Sequence, residues 1–252
     1  MRCCYVFILL LLPFFAFSGV IPEKSRIVFN GKNTVQPSML VNTNEYPVVV
    51  QLWVDNGEFN KSPELTPSSF IITPVMSRMP PKKINSVKII YSGAGAEMSE
   101  DRESLFWLNI FEVPPVNKSP SSENEIALSM LTQIKLIYRP EKLEISENNL
   151  IAKLDSLTFR LIKKSKGGTE LVINNPTEYI ASLANIELKG QENNKSVTFI
   201  SEDLKSVTIL PKSTETVSVD KVGPSAIVGI DYWLIDDSGR FINKRKRLAP
   251  GQ

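Results

Sequence analysis

The sequence predicts an all-β protein built from two β-sandwich units that follow an N-terminal apolar segment. Stretches rich in Val, Ile, Leu and aromatic residues recur about every dozen residues and are separated by turn residues, which is the spacing of a β-sandwich. The pattern restarts after Arg139-Pro140. No stretch keeps a sustained period of 3.6, so we expect little helix. Two sandwiches joined by a stiff elbow would enclose a cleft.

Residues 1–18 predict a secretory signal peptide. Arg2 precedes an apolar run at 5–15, and Ala16-Phe17-Ser18 supplies the small residues that a signal peptidase recognises, so we expect cleavage after Ser18. The alternative is a transmembrane anchor, but the run is well short of the roughly 20 residues that a bilayer requires. We therefore expect an exported chain whose mature form is not inserted in a membrane.

The composition of the exported chain excludes several classes of function. Both cysteines, Cys3 and Cys4, lie in the leader, so no disulfide forms. Removing Arg2 from 29 basic residues leaves 28 against 27 acidic ones, which does not predict nucleic-acid binding. The chain has no histidine and no GxxxxGK phosphate loop. We expect no enzyme, no catalytic residue, no metal and no cofactor, although chemistry by carboxylates alone stays formally possible.

The last strand of the first unit carries an unusual pattern. Earlier strands are predicted at 26–29, 38–42, 48–54, 70–73, 86–91 and 104–113. The stretch 126-IALSMLTQIKLIYRP-140 then places Ile126, Leu128 and Met130 two residues apart, so they share one face, while Lys135 has the opposite parity. On the residues alone, the apolar three would be a core face and Lys135 a solvated charge.

A second all-β unit is predicted after Pro140. Its strands are expected at 157–163, 170–174, 179–189, 197–200, 207–210, 216–219 and 226–235. Proline fixes its own backbone angle and restricts the residue before it, so the boundary is stiff. We divide the mature chain at this point into domains 19–139 and 140–252. The basic run at 244–247 is interpreted as a solvated tail, with polyanion binding as the alternative.

Four short blocks together resemble one known family. They are 102-RESLFWLNIFEVPP-115, 132-TQIKLIYRP-140, 25-SRIVF-29 and 235-IDDSGR-240. They are similar to the periplasmic chaperones of the chaperone–usher pathway, which assemble pili and fimbriae. The resemblance implies two immunoglobulin-like sandwiches set at an angle as an L, with no enzymatic turnover. It also implies that the chaperone lends a strand to an incomplete pilus subunit and delivers that subunit to an outer-membrane usher.

The resemblance assigns roles to particular residues. It makes Ile126, Leu128 and Met130 the side chains that enter the groove of the subunit. It makes Arg26 and Lys135 the anchor of the subunit's C-terminal carboxylate, which would set the register of strand pairing. On the residues alone, both cations would be solvated charges at strand edges.

A second group of residues is implied to be structural. The resemblance pairs Arg139 with Asp237 across the domain boundary, and Glu103 joins them, so that the three hold the elbow angle. Without it, Arg139 would be an unpaired linker charge. The family usually has a branched aliphatic residue in place of Met130 and a polar one in place of Leu131, so the pocket contacts of this chain are expected to differ.

A different class of protein fits the same composition. A secreted immunoglobulin-like adhesive or structural module would also be all-β and exported. It is usually built with a disulfide or an N-terminal donor extension, and the mature chain has no cysteine and reaches Arg26 within a few residues. We therefore expect a periplasmic chaperone whose partners are pilus subunits and an usher, and which could cap itself as a dimer when free.

Overall fold

A computed structural model describes residues 19–57, 68–93, 98–115, 128–164, 168–192, 195–219 and 227–248. The predicted signal peptide and Ile126 lie outside these ranges. The described chain is dominated by strands, as the sequence predicts. Its one α-helix, α1, spans Glu147–Leu154 and buries Leu150 and Leu154, which lie on one face because they are four residues apart.

The first unit contains nine strands within the described residues. They are β1 Val20–Pro22, β2 Arg26–Asn30, β3 Val35–Asn42, β4 Val48–Asp55, β5 Phe70–Thr73, β6 Met76–Met79, β7 Ile84–Tyr91, β8 Ser104–Val113 and β9 Met130–Arg139. One sheet has the order β1-β3-β7-β5 and the other β2-β9-β8-β4-β6. The chain crosses between the two sheets at residues 23–25, which separate β1 from β2.

The alternation of apolar and polar residues decides which side chains enter the first core. Phe29, Leu40, Ile89, Leu108 and Leu136 are all at most 1% exposed and belong to one apolar cluster. They come from strands of both sheets, so the cluster fills the space between the sheets. Burying a side chain of this size contributes roughly 1.5–3 kcal/mol, which makes this cluster the main source of the unit's stability.

The second unit repeats this arrangement with eight strands within the described residues. They are β10 Thr158–Lys163, β11 Thr169–Asn175, β12 Ala181–Glu192, β13 Lys195–Phe199, β14 Ser206–Ile209, β15 Ser213–Val219, β16 Ile227–Ile235 and β17 Phe241–Arg247. One sheet runs β10-β11-β15, and the other runs β13-β12-β16-β17 with β14 also paired to β12. Helix α1 packs its two leucines into the core of this unit.

The interpretation of 244–247 as a solvated tail is wrong. These residues form most of β17, which pairs antiparallel with β16 from Ile235↔Phe241 to Gly229↔Arg247. Arg245 forms two hydrogen bonds with Asp231, at 2.6 and 2.8 Å, and Lys244 lies 2.8 Å from Asp155. β17 is an edge strand, and charged side chains on an edge disfavour pairing with another chain. Lys244 and Arg245 therefore have local structural partners.

Candidate functional site

The first half of β9 has a free edge in the part of the chain that the structure describes. On one side, β8 pairs with β9 from Glu112↔Met130 to Ser104↔Tyr138. On the other side, β2 pairs in parallel with β9 only from Arg26↔Lys135 to Asn30↔Arg139. The backbone groups of residues 130–134 that point away from β8 therefore have no strand partner among the described residues and can pair with another strand.

The apolar side chains at alternate positions of β9 change from buried to exposed in the same half of the strand. Ile134 and Leu136 are buried, which agrees with a core face for that half of the strand. Met130 is 43% exposed, and Leu128, just before the strand, is 79% exposed. These two side chains continue the row beyond the sandwich, beside the free edge. The stretch from Leu128 into the first half of β9 thus combines an open backbone edge with exposed apolar side chains, Leu128 and Met130 on one parity and Leu131 on the other.

Met130 is held against the beginning of the described chain. A Cβ atom on Gly19 would lie 2.5 Å from the Met130 Cε, and Gly19 has a φ of +135°, so only glycine fits this position without strain. The next residue, Val20, donates its N–H to the buried carboxylate of Glu112 at 2.7 Å. Gly19 and Val20 therefore form one wall beside the exposed row.

Two cations meet where β2 joins β9. Arg26 and Lys135 are direct neighbours in the parallel pair. The Arg26 side chain donates from Nη1 to the carbonyl of Ile235 at 3.3 Å, but its buried Nε has no hydrogen-bond partner among the described residues. A buried donor without a partner is rare and costly, so it marks a place where a ligand acceptor would be stabilising.

The second unit contacts Lys135 from the other side. The Lys135 Nζ donates to Ser182 Oγ at 3.0 Å and to Thr208 Oγ1 at 2.5 Å. It also lies 5.9 Å from the centre of the Trp107 ring. Burial, together with the charge of Arg26, lowers the pKa of Lys135 to about 8. The lysine is thus placed between the two domains by neutral groups.

The electrostatics of this corner favour an anion. Burial also lowers the pKa of Arg26, against the opposing charges of Asp237 and Asp236. In the described part of the chain, neither Arg26 nor Lys135 forms an ion pair. Besides the burial of its side chain, the charge of Arg26 lowers the pKa of the half-buried Lys135, so the two neighbouring cations repel each other and a bound anion would relieve this repulsion.

Arg139 joins the two domains at the elbow. Its Nε donates to Glu103 Oε1 at 2.6 Å, while Nη1 and Nη2 donate to the two carboxylate oxygens of Asp237 at 2.7 and 3.0 Å. The second Glu103 oxygen accepts the backbone N–H of Ile180 at 2.6 Å. The Arg139 guanidinium also lies 5.5 Å from the Tyr179 ring centre. The structure thus brings the three residues of the elbow hypothesis together.

The elbow network is buried on its first-domain side. The Glu103 side chain is 1% exposed and the Arg139 side chain 6%, whereas that of Asp237 is 27% exposed. Burial raises the pKa of Glu103, although Arg139 and the Ile180 N–H oppose it. Burial alone would lower the pKa of Arg139, but the hydrogen bonds and charges of Asp237 and Glu103 raise it above its ordinary value. The two carboxylates therefore stabilise the charged form of Arg139, whereas the cost of burying Glu103 is only partly compensated.

The structure adds residues that the sequence did not indicate. Ser182 and Thr208 were not predicted to belong to any site, because single hydroxyl residues in strands carry no distinctive pattern. Glu147 and Asp236 form ion pairs with Arg240 at 2.6 and 2.8 Å, which fixes the acidic turn against helix α1. This turn places Asp237 opposite Arg139.

Family comparisons identify the class of protein. Residues 19–144 match the family of pili and flagellar-assembly chaperones, PapD N-terminal domain, and residues 152–246 match the pili assembly chaperone PapD, C-terminal domain. A two-domain β protein with this pair of domains is a pilus-assembly chaperone by family. The chain belongs to this PapD-like family, and the resemblance and the two-domain all-β fold predicted from the sequence are confirmed.

Individual relatives agree with this membership. The chain is 30% identical over 219 residues to the chaperone protein FimB/FhaD of Bordetella pertussis, covering 85% of this chain and 82% of that protein. It is 29% identical to the chaperone protein FocC of Escherichia coli, covering 93% and 92%. The crystal structure of the YadV chaperone superimposes with a TM-score of 0.70 at 27% identity, covering 91% and 99%.

A second solved structure has similar coverage. The Pseudomonas aeruginosa CupB2 chaperone has a TM-score of 0.69 at 28% identity, covering 91% of this chain and all of that one. Within the described ranges, we find no helix of sufficient length and apolar character to span a bilayer.

Proposed function

We propose that the protein is a periplasmic chaperone that captures pilus subunits by donating the free edge of β9, and that it delivers them to an outer-membrane usher. The observation that carries this proposal is the juxtaposition of an open backbone edge at residues 130–134 with a cation pair that has no carboxylate partner among the described residues. An incoming strand that ends in a carboxylate satisfies both features.

The apolar row gives this strand its orientation. Leu128 and Met130 are exposed on one side of the edge, and Ile126, outside the described residues, continues the same parity. A subunit that lacks one strand of its own sandwich has an apolar groove, and these side chains fill it while the backbones pair. Methionine adapts to grooves of different shape, which suits Met130 to more than one subunit.

The cation pair sets the register. The C-terminal carboxylate of the subunit accepts hydrogen bonds from the Arg26 guanidinium and the Lys135 ammonium. Each charge-assisted hydrogen bond contributes roughly 1.5–3 kcal/mol. A slip of one residue would turn every apolar side chain to the wrong face, so an anchored end favours one register.

The remaining parts of the proposal concern location and assembly. The chain is exported by residues 1–18, cut after Ser18, and consists of domains 19–139 and 140–252. The Glu103–Arg139–Asp237 network keeps the cleft in shape and takes no part in binding. Without a subunit, two copies cap each other by pairing their free β9 edges, since each copy has the same unpaired backbone. The protein acts without enzymatic turnover.

Co-expression with pilus subunits tests this function. The full chain, tagged at its C-terminus, is expressed with a candidate pilus subunit, and the periplasmic fraction is purified on the tag. We expect a one-to-one complex with a subunit, and we expect the subunit to be degraded when the chaperone is omitted. A chaperone that purifies alone while its subunits accumulate normally would contradict the proposal and favour an adhesive or structural module.

A further inference from the structure

Two hydroxyl residues of the second domain contact the anchoring lysine. Ser182 on β12 and Thr208 on β14 are direct partners in the antiparallel pair, so their side chains lie next to each other. Both accept a hydrogen bond from the Lys135 Nζ, at 3.0 and 2.5 Å. Ser182 is 1% exposed, so its hydroxyl is fixed by its surroundings.

The chemistry of these acceptors matters for an anion site. A carboxylate in this position would hold the lysine equally well, but it would neutralise the charge that a ligand needs. Hydroxyl groups accept the hydrogen bonds and leave the ammonium with its full positive charge. They also compensate part of the cost of burying the ammonium, which would otherwise favour its neutral form.

The number of donors fits one carboxylate. An ammonium group has three N–H donors, and Ser182 and Thr208 accept two of them. Among the described residues, one N–H of Lys135 stays available and the buried Nε of Arg26 has no acceptor, so a turn of the guanidinium would present a donor to a ligand. A carboxylate has two oxygens, so one donor from each cation is sufficient to bind it.

We propose that Ser182 and Thr208 are positioning residues of the anchor: the second domain holds the Lys135 ammonium charged and oriented so that it can receive a carboxylate. The proposal rests on the proposed function for the identity of the ligand. On this proposal, both domains contribute residues to the anion site. Arg26 and Lys135 in the first domain alone would leave the ammonium without these two acceptors.

The first test needs no subunit. The protonation of Lys135 is followed by ¹³C NMR of its side chain in the full mature chain, for the wild type and for Ser182→Ala, Thr208→Val and Thr208→Ser. Losing a hydroxyl acceptor disfavours the charged form, so we expect the pKa of Lys135 to fall in Ser182→Ala and Thr208→Val. Thr208→Ser keeps the hydroxyl and should behave as the wild type. Thr216→Val, an exposed threonine on β15, is the matched control.

The second test uses acetate as a minimal carboxylate. Its binding is measured from the same Lys135 signal at constant ionic strength, with chloride as the reference anion. We expect Thr208→Val and Ser182→Ala to bind acetate about tenfold more weakly than the wild type, which corresponds to the loss of one hydrogen bond to a charged group. Thr208→Ser should bind normally.

The outcomes separate the two proposals. An unchanged Lys135 pKa in both Ser182→Ala and Thr208→Val would overturn the positioning role, whatever the ligand. A wild-type lysine that does not respond to acetate would count against the carboxylate anchor, while the titration of the free variants would still decide the role of the two hydroxyls. Weaker acetate binding in Thr208→Ser as well would also overturn the proposal, because the hydroxyl is retained there.

Discussion

Arg26 and Lys135 are direct neighbours in the parallel pair of β2 and β9, and neither forms an ion pair in the described part of the chain. Like charges in directly opposed positions of a sheet are destabilising. The second domain supplies neutral hydrogen-bond acceptors to this corner, namely the Ile235 carbonyl and the hydroxyls of Ser182 and Thr208, while the charges of Asp237 and Asp236 act on Arg26 without an ion pair among the described residues. The free protein thus keeps an unfavourable arrangement that a bound carboxylate would correct.

Lys135→Ala should abolish subunit capture and leave the protein folded. Truncating one partner of a buried hydrogen-bonded charge pair typically costs about 2–5 kcal/mol, because the subunit carboxylate is left half-satisfied. Arg26→Ala should have a similar effect, and the double variant should lose less than the sum, since both side chains share one ligand. Subunit yield in the purified complex is the measurement.

Thermal melts of the free variants provide the control for this first prediction. Removing one of two adjacent cations relieves their repulsion, so the melting temperature of Lys135→Ala should be unchanged or higher. Normal subunit yield from well-folded Lys135→Ala would reject the anchor.

Subunit binding should weaken as the pH rises through about 8. The pKa of Lys135 is lowered to about 8 in the free protein. Below this pH the lysine is charged and binds a carboxylate directly, whereas above it binding must also take up a proton, so affinity falls with rising pH. Arg26 stays protonated over this pH range, so it adds no inflection to the pH dependence of subunit affinity. The measurement is the dissociation constant of a purified subunit between about pH 6 and pH 10.

Lys135→Arg is the control for the pH dependence, because arginine does not lose its proton in this range. If this variant still binds, its affinity should show no inflection near pH 8. An identical inflection in wild type and Lys135→Arg would assign the titration to another group.

Much of the fold could be predicted because buried strands have a strong apolar signal. Turn residues bound 70–73 and 104–113, and the structure places β5 and β8 at these same bounds. β17 could not be predicted because it is an edge strand whose charged side chains pair with Asp231 and Asp155, so it has no apolar alternation. The short strands β1 and β6 were also not predicted, since three or four residues carry too little pattern.

The candidate site could be predicted only in part, because some of its contacts form between the two domains. Arg26, Lys135 and Arg139 lie in motifs that resemble a known family, so their positions followed from the sequence. The acceptors of Lys135 depend on how the two domains are placed, and no local pattern encodes this. The contact of Ser182 and Thr208 with Lys135 is therefore recognised only from the structure of both domains.

Leu128→Asn should reduce subunit capture, whereas Leu131→Asn should not. In the proposed function Leu128 is on the parity that faces the subunit groove, and Leu131 has the opposite parity. Both are exposed, at 79% and 42%, so neither substitution should destabilise the free protein by more than about 0.5 kcal/mol. Co-purification with a subunit measures the difference. Equal loss of subunit in both variants would mean that parity does not decide which side chains bind.

Arg139→Met should destabilise the protein and release the elbow. The substitution leaves the Glu103 carboxylate, 1% exposed, with the Ile180 N–H but without its cation. Removing one partner of a buried ion pair typically costs about 3–5 kcal/mol. Asp237→Asn should cost less, since the Asp237 side chain is 27% exposed and an amide can still accept from Arg139. Urea unfolding measures both, and small-angle scattering follows the angle between the domains.

Adding Glu103→Gln to Arg139→Met tests the cause of that loss. Glutamine removes the buried charge, so the double variant should regain part of the stability. The stability of Arg139→Met should also recover as the pH falls. Burial already raises the pKa of Glu103 in the presence of Arg139. Without the arginine, the folded state binds the proton of the Glu103 carboxyl more tightly than the unfolded state does, so protonation favours folding. The deficit of this variant relative to wild type should therefore shrink toward acidic pH. A deficit that is independent of pH and unaffected by Glu103→Gln would mean that lost packing, not an unpaired carboxylate, is the main cost.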